Sequence, residues 1–495
     1  MNPAFYLPLG LEEGLETTVQ RFGPAHEALD LHLPVVQNED LLHWIEVLRE
    51  ARETNLAHRP IQEIVRSLDK VTRRFLDKKD TARREAVESL AAFGRFTTAM
   101  LDRSLDDAFQ PLAHNGLNRW IVTELGSVPV LDRPAEGARG TIRRARGPEW
   151  MLQIYAGNVP TLPVWPIYSA LILKSALLGK TSAREPLFAP LLARTIAEVD
   201  EKLGACLAVV WWKGGTGGLD RTALSAAPAV LAFGGEEAVG SVARQAVTGA
   251  HVVLHGPKVS VGYVERRGLT FAGIRSLAAR AAHDVSMYDQ DGCLSPHAFY
   301  VERRGQVSPE KFGEALAAAL EEASKDLPPV VAEQEEAAGV QLARAQARFE
   351  SAGIATVTRV LESAGSTAWT VIVDDRARFE PGPTRRTIRV HAVDGPDEVA
   401  RVLAPSARSI EALGLEARGP ERVKLAARFA DLGIPRIAPI GSLQNPVPWD
   451  THGGVPRLLP FVTWTTVEHA TSTSVGSRTP GAIRRRLGAA GIRRR

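Results

Sequence analysis

The stretch Trp150-Met151-Leu152-Gln153-Ile154-Tyr155-Ala156-Gly157-Asn158-Val159-Pro160 decides the fold class. Residues 152–155 form a short apolar run that ends on a Gly-Asn turn, the pattern of a buried strand. Helical periodicity follows at 166–178 and 187–203, and further apolar runs lie at 207–212, 230–233 and 252–254. Strands alternating with helices predict an α/β fold built on a doubly wound parallel sheet. A second α/β unit is expected from 257 to 435, with strands at 298–301, 369–373 and 387–391 and helices at 308–325 and 332–352. Upstream, residues 1–110 read as helical. Leu41, Leu42, Ile45 and Leu48 recur at helical spacing, as do Ile61, Ile64, Val65, Leu68, Val71 and Phe75 after Pro60. A third amphipathic helix is expected from 82 to 105. None of these helices carries a chemical signature, so they are expected to pack around the later units.

The composition limits the function classes. The chain has 495 residues, 44% hydrophobic and 24% charged, as in soluble globular proteins of several domains. Sixty basic and 57 acidic residues give a net charge of +3, too balanced to argue nucleic-acid binding. Two cysteines, Cys206 and Cys293, exclude a disulfide framework and point to a reducing, cytoplasmic setting. No secretory signal is expected, because Met1–Leu11 has no basic segment and Glu12 and Glu13 follow. Residues 150–173 are uncharged, but Asn158, Pro160, Pro163 and Pro166 interrupt them, so no transmembrane segment is expected. A tail at 471–495, rich in Ser, Thr, Gly and Arg, reads as a basic, solvated end.

Three apparent motifs fail on spacing. Gly179-Lys180-Thr181 ends like a phosphate-binding loop, but Lys174 stands where its first glycine belongs. Gly215-Thr216-Gly217-Gly218-Leu219-Asp220 begins like a dinucleotide fingerprint and lacks its last glycine. His251 and His255 fall on or beside a strand, where four residues span about 13 Å, too far for one zinc ion. No metal is expected.

Cys293 is the strongest single candidate. Polar, turn-forming residues surround it in Tyr288-Asp289-Gln290-Asp291-Gly292-Cys293-Leu294-Ser295-Pro296-His297, whereas Cys206 adjoins the apolar Leu207, Ala208 and Val209. A loop cysteine of this kind is a candidate nucleophile. Read in order, Asn158 after a strand, Lys180-Thr181-Ser182, Phe233-Gly234-Gly235, Gly256-Pro257-Lys258 and the Cys293 loop resemble the aldehyde dehydrogenase superfamily. The Asp-Gln-x-Gly-Cys-x-Ser-Pro loop and the late Pro448-Trp449-Asp450 resemble more closely its acyl-CoA reductase branch of the LuxC type, over about residues 35–465.

That resemblance implies an aldehyde dehydrogenase-like fold. It divides the chain into a helical N-terminal region (1–110), a dinucleotide-binding domain (111–256, with a return segment at about 436–470), a catalytic domain (257–435) and the basic tail. Cys293 matches the nucleophile, and Asn158 the amide of the oxyanion hole. Lys180 matches the lysine that reaches the adenosine ribose, with Ser182, Ala183 and Arg184 beside it. Gly234 and Gly235 match the turn at the cofactor diphosphate. The implied activity is reduction of an acyl thioester, acyl-CoA above all, to the aldehyde through an acyl-cysteine. The implied partners are a second copy of the chain and an acyl-transferring or synthetase protein.

Departures from the family pattern sharpen these expectations. Ala183 replaces the usual acidic residue, which makes room for a 2′-phosphate that Arg184 would pair with, so NADPH is the expected cofactor. Leu254 stands where aldehyde-oxidising members carry a glutamate base, and its absence suits an enzyme that must not hydrolyse its acyl-cysteine. His255, or His297, is the candidate proton donor. Two alternatives remain open: an acyl-phosphate reductase on the same scaffold, and a non-catalytic binding protein that keeps the fold.

Overall fold

A computed structural model describes residues 4–23, 28–136, 142–352 and 358–467, so the tail expected at 471–495 lies outside the described residues. The chain opens on an antiparallel hairpin of β1 (Thr17–Phe22) and β2 (Leu29–Pro34), not on a helix. The reason is visible in Leu29-Asp30-Leu31-His32-Leu33, whose period of two buries Leu31 and Leu33 with Phe22 and Phe93. Helices follow at Asn38–Asn55, Ile61–Leu76, Thr81–Ala92 and Thr98–Phe109. The single helix expected at 82–105 is therefore two. Gly94, at φ 77°, breaks it, and the Thr97 side chain caps the second half by accepting from the Met100 N–H.

After β3 (Ala135–Glu136) and β4 (Ile142–Arg146) comes the first large sheet. It consists of β5 (Trp150–Ile154), β6 (Ala176–Lys180), β7 (Leu207–Val210), β8 (Ala229–Phe233) and β9 (His251–His255). All pairs are parallel, in the order β7-β6-β5-β8-β9. The helix expected at 166–178 spans only Val164–Ile172. Lys174, at φ 58°, turns the chain, and residues 176–180 become β6. The apolar runs on either side of Lys174-Ser175 are each too short to carry a period that separates buried helix from buried strand. The strand order reverses between β5 and β8, which opens a crevice at their carboxyl ends.

The second sheet collects β10 (Val259–Val264), β11 (Pro296–Glu302), β12 (Thr358–Glu362), β13 (Thr370–Asp374), β14 (Thr387–Val393), β15 (Ile410–Glu416) and β16 (Arg436–Ala438). Its order is β12-β13-β14-β11-β10-β15-β16, and only β12 runs antiparallel. Residues 436–438, read as the start of the return segment, thus belong to this sheet. β17 (Thr463–Val467) does return, pairing antiparallel with β4. Only Gly256, Pro257 and Lys258 separate β9 of the first sheet from β10 of the second.

Packing follows the strand period. Phe299 and Val301 of β11 face one apolar cluster, whereas Ala298 and Tyr300 face the other. One continuous core joins the N-terminal helices to the first sheet, and Tyr288, Leu458 and Phe461 enter it from distant parts of the chain. Among the described residues no helix is long and apolar enough to cross a membrane.

Candidate active site

The loop before Cys293 adopts a conformation that side chains disfavour. Tyr288, Asp289 and Gln290 have φ of 53°, 48° and 71°, three consecutive non-glycine residues in the left-handed region. Each is fastened by its side chain. Tyr288 Oη donates to Ser104 Oγ at 2.9 Å. Asp289 accepts from Arg386 Nε at 2.8 Å and from the Val330 N–H at 2.9 Å. Gln290 Nε2 donates to the Pro296 and Thr387 carbonyls at 2.8 and 3.0 Å, and its Oε1 accepts from the Thr387 N–H at 2.8 Å. The Asp-Gln pair of the motif is thus the anchor of the loop. Ser260 Oγ then holds the Cys293 carbonyl at 2.9 Å.

Asn158 reaches this loop from the carboxyl end of β5. Its Nδ2 donates to the Asp291 carbonyl at 2.9 Å, which leaves its second N–H uncommitted to that bond. Its Oδ1 is buried without a partner.

Two cavities meet at Cys293. The first is an open cleft of about 1640 Å³ at the β5–β8 crevice. Asn158, Lys180, Ser182, Ala183, Arg184, Gly234 and Gly235 all line it, together with His255, His297 and Cys293. Gly235 caps the helix Glu236–Gln245, and nothing lies within 4 Å of where its Cβ would project. The second cavity, of about 1100 Å³, is walled mainly by apolar groups, among them Val159, Leu162, Trp165, Leu231, Val253 and Phe461. Cys293, Gly292, His255 and His452 line both.

Charge around the nucleophile is finely opposed. Burial, and then the Glu411 carboxylate, push the Cys293 thiol up to about 12, against the pull of Lys258 and Arg457. Glu411 accepts from the Gly453 N–H at 2.7 Å and lies 3.5 Å from Lys258 Nζ. Burial, with Arg457 and Lys258 adding to it, lowers His255 to about 4, so its imidazole is neutral at pH 7. His297 is likewise lowered to about 4 by burial, and its Nδ1 has no partner. His255 stacks between Phe233 and His452, with ring centroids 4.8 and 4.1 Å away. Gly453, at φ 58°, fits under this group, because a Cβ there would come 3.1 Å from Lys258 Nζ.

The sequence reading missed Lys258, Glu411, His452 and Arg457 as parts of the site. Pro448-Trp449-Asp450 was the available signal. Asp450 Oδ2 accepts from the Val447 N–H at 3.2 Å, and the Arg119 guanidinium covers Trp449 at 4.4 Å, so this turn delivers His452 and Gly453. Arg184 does not stand free for a phosphate, because its Nη2 is paired with Asp291 Oδ2 at 2.6 Å. Leu254 lines neither cavity, whereas Val253 and His255 do. Strand alternation turns position 254 away, and His255 takes the place assigned to it. Cys206 is fully buried in the core.

With the geometry in place, comparison with known proteins is decisive. The family model described as Acyl-CoA reductase (LuxC) matches residues 56–464. The chain belongs to the LuxC family. A LuxC-family relative, the long-chain acyl-protein thioester reductase of Photorhabdus luminescens, is 25% identical, covering 90% of this chain and 89% of its own. That of Aliivibrio fischeri is also 25% identical, covering 78% and 79%. The fold is that of aldehyde dehydrogenases. Aldehyde dehydrogenase 21 of Physcomitrella patens superposes with a TM-score of 0.73 at 13% identity, covering 96% of this chain and all of its own. An NADP complex of glyceraldehyde-3-phosphate dehydrogenase from Methanocaldococcus jannaschii gives 0.69 at 15% identity, covering 92% and 99%.

Two outcomes follow from this site. Gln290→Leu removes three buried hydrogen bonds, and at about 1–3 kcal/mol per buried group left unpaired the loss of stability should reach about 3 kcal/mol, read as a lowered urea midpoint. Alkylation of Cys293 by iodoacetamide in dinucleotide-free protein should rise about tenfold per pH unit from 7 to 9. The raised thiol holds its proton throughout that range, and a plateau below pH 9 would contradict the charge balance described.

Proposed function

We propose that the chain reduces a long-chain acyl thioester to the aldehyde through an acyl-cysteine on Cys293, with NADPH as reductant and acyl-CoA as acyl donor. The observation that carries this reading is the position of Cys293 between a cleft lined by polar and glycine residues and an apolar cavity. The apolar walls suit a hydrocarbon chain, which gains about 0.8 kcal/mol for each buried CH₂. The named activity of the relatives, reduction of long-chain acyl-protein thioesters, supports the thioester and the chain class. An acyl-protein partner would present the same bond.

The cleft fits a dinucleotide. Its place at the β5–β8 crevice, the bare backbone at Gly235 and the Lys180 ammonium are what a diphosphate and ribose require. Ala183 leaves room for a 2′-phosphate.

In the reaction, Cys293 gives up its thiol proton to water in the open cleft, and Lys258 and Arg457 favour the thiolate that results. The Cys293 sulfur then attacks the thioester carbon. The free N–H of Asn158 stabilises the oxyanion, a contribution of about 3–4 kcal/mol. Collapse expels the donor thiolate, which takes up a proton from water. The bound dinucleotide supplies hydride to the acyl-cysteine. The Cys293 thiohemiacetal oxyanion then collapses to aldehyde and the Cys293 thiolate, which takes up one proton from water to restore the thiol.

The test is intact-mass analysis after incubation with long-chain acyl-CoA and no dinucleotide. Wild type should gain one acyl group, Cys293→Ser none, and Cys206→Ser one. Asn158→Ala should slow acylation about 10²–10³-fold. An adduct on Cys293→Ser would overturn the proposal, and NADPH oxidation driven by acyl phosphate but not acyl-CoA would redirect it.

A further inference from the structure

Lys180 does not stand free in the cleft. Its ammonium lies 2.8 Å from Asp220 Oδ1 and 4.9 Å from the centre of the Trp212 ring. Asp220 stands in the first turn of the helix Leu219–Ala226, beyond the loop that leaves β7. Its oxygens also accept from Trp212 Nε1 at 2.8 Å and from the Gly215 N–H at 2.7 Å. Burial would raise this carboxyl. The hydrogen bonds from Lys180, Gly215 and Trp212 nonetheless hold it below the ordinary carboxylate range, so it is charged. The loop closes over the pair: a Cβ on Gly214 would lie 3.4 Å from Lys180 Nζ and 3.6 Å from Asp220 Oδ2. Trp212, Lys213 and Gly214 line the cleft beside Lys180, with Asp220 just behind.

We infer that Asp220 sets the choice between NADH and NADPH by competing with the ribose 2′-phosphate for Lys180. The inference rests on reading this cleft as the dinucleotide site. Ala183 removes one carboxylate from the ribose position, and Asp220 returns one from the neighbouring loop. A 2′-hydroxyl is uncharged and leaves the Lys180–Asp220 pair intact. A 2′-phosphate carries up to two negative charges, so it must draw the ammonium away from Asp220 or share it with a carboxylate at close range. Arg184 offers no relief while it is paired with Asp291. Lys213 is exposed at the rim of the cleft and becomes the second cation for the phosphate once Lys180 is released. Asp220 is thus a positioning residue that acts through Lys180.

The experiment is calorimetric titration of the full chain with NAD⁺ and NADP⁺, each without acyl donor. Asp220→Asn removes the charge and keeps one oxygen, which can serve Trp212 Nε1 or the Gly215 N–H but not both, because these bond different oxygens of Asp220. The ratio of the NAD⁺ Kd to the NADP⁺ Kd should rise about tenfold, and the rise should vanish when Lys180→Met is added. If Asp220→Asn unfolds, as judged by its melting curve, Asp220→Ser takes its place with the same expectation. A ratio that moves less than fivefold, or a rise that survives Lys180→Met, overturns the inference while leaving the cleft as a dinucleotide site. Failure of the wild type to bind either dinucleotide overturns the reading of the cleft itself.

Discussion

Everything at the candidate site hangs from the Asp289–Arg386 and Gln290–Thr387 contacts. Three successive left-handed residues cost about 1–3 kcal/mol each, and they persist only where the surroundings over-determine them. Here the surroundings are the start of β14 and the carbonyl at the head of β11. The strained turn puts the Asp291 carbonyl against Asn158 and leaves Cys293 at the junction of the two cavities. The second sheet therefore places the thiol at the carboxyl ends of the first, across a link of only three residues, Gly256 to Lys258.

Apolar side chains wall most of one cavity, which Asp107, Glu411, Arg436 and Arg457 also line, whereas Lys180, Arg184, Lys258 and Asp291 line the open cleft. Three carboxylates line the two cavities among the described residues. Glu411 is held by Gly453 and Lys258, Asp291 by Arg184, and Asp107 by Arg103. Glu411 Oε2 is nonetheless buried without a hydrogen-bond partner, and the residue of β9 that lines both cavities is a histidine that burial keeps neutral.

What the sequence made legible was whatever sits at the end of a strand. Asn158 after β5, Lys180 at the end of β6 and Gly234 after β8 could be placed because strand, turn and helix signals are local. Cys293 could be told from Cys206 by its polar neighbours. The illegible parts are contacts across long chain separations. Asp289 meets Arg386 across 97 positions, and Arg184 meets Asp291 across 107. Nothing near Arg184 announces that its guanidinium is taken. Glu411 and His452 lie in segments whose local pattern says only strand and turn. The misread helix at 166–178 and the missed N-terminal hairpin are failures of period, where short apolar runs on either side of Lys174-Ser175 and a six-residue alternation were each too short to weigh.

The central claim is that Cys293 carries the acyl group in a form protected from water and open to reduction. The most direct test pulses the wild type with a labelled acyl thioester, removes the excess, and adds NADPH only after a delay. The account predicts that the label stays on the protein through the delay and then leaves as aldehyde. Label lost as free fatty acid before NADPH is added would contradict it, as would label that NADPH cannot release.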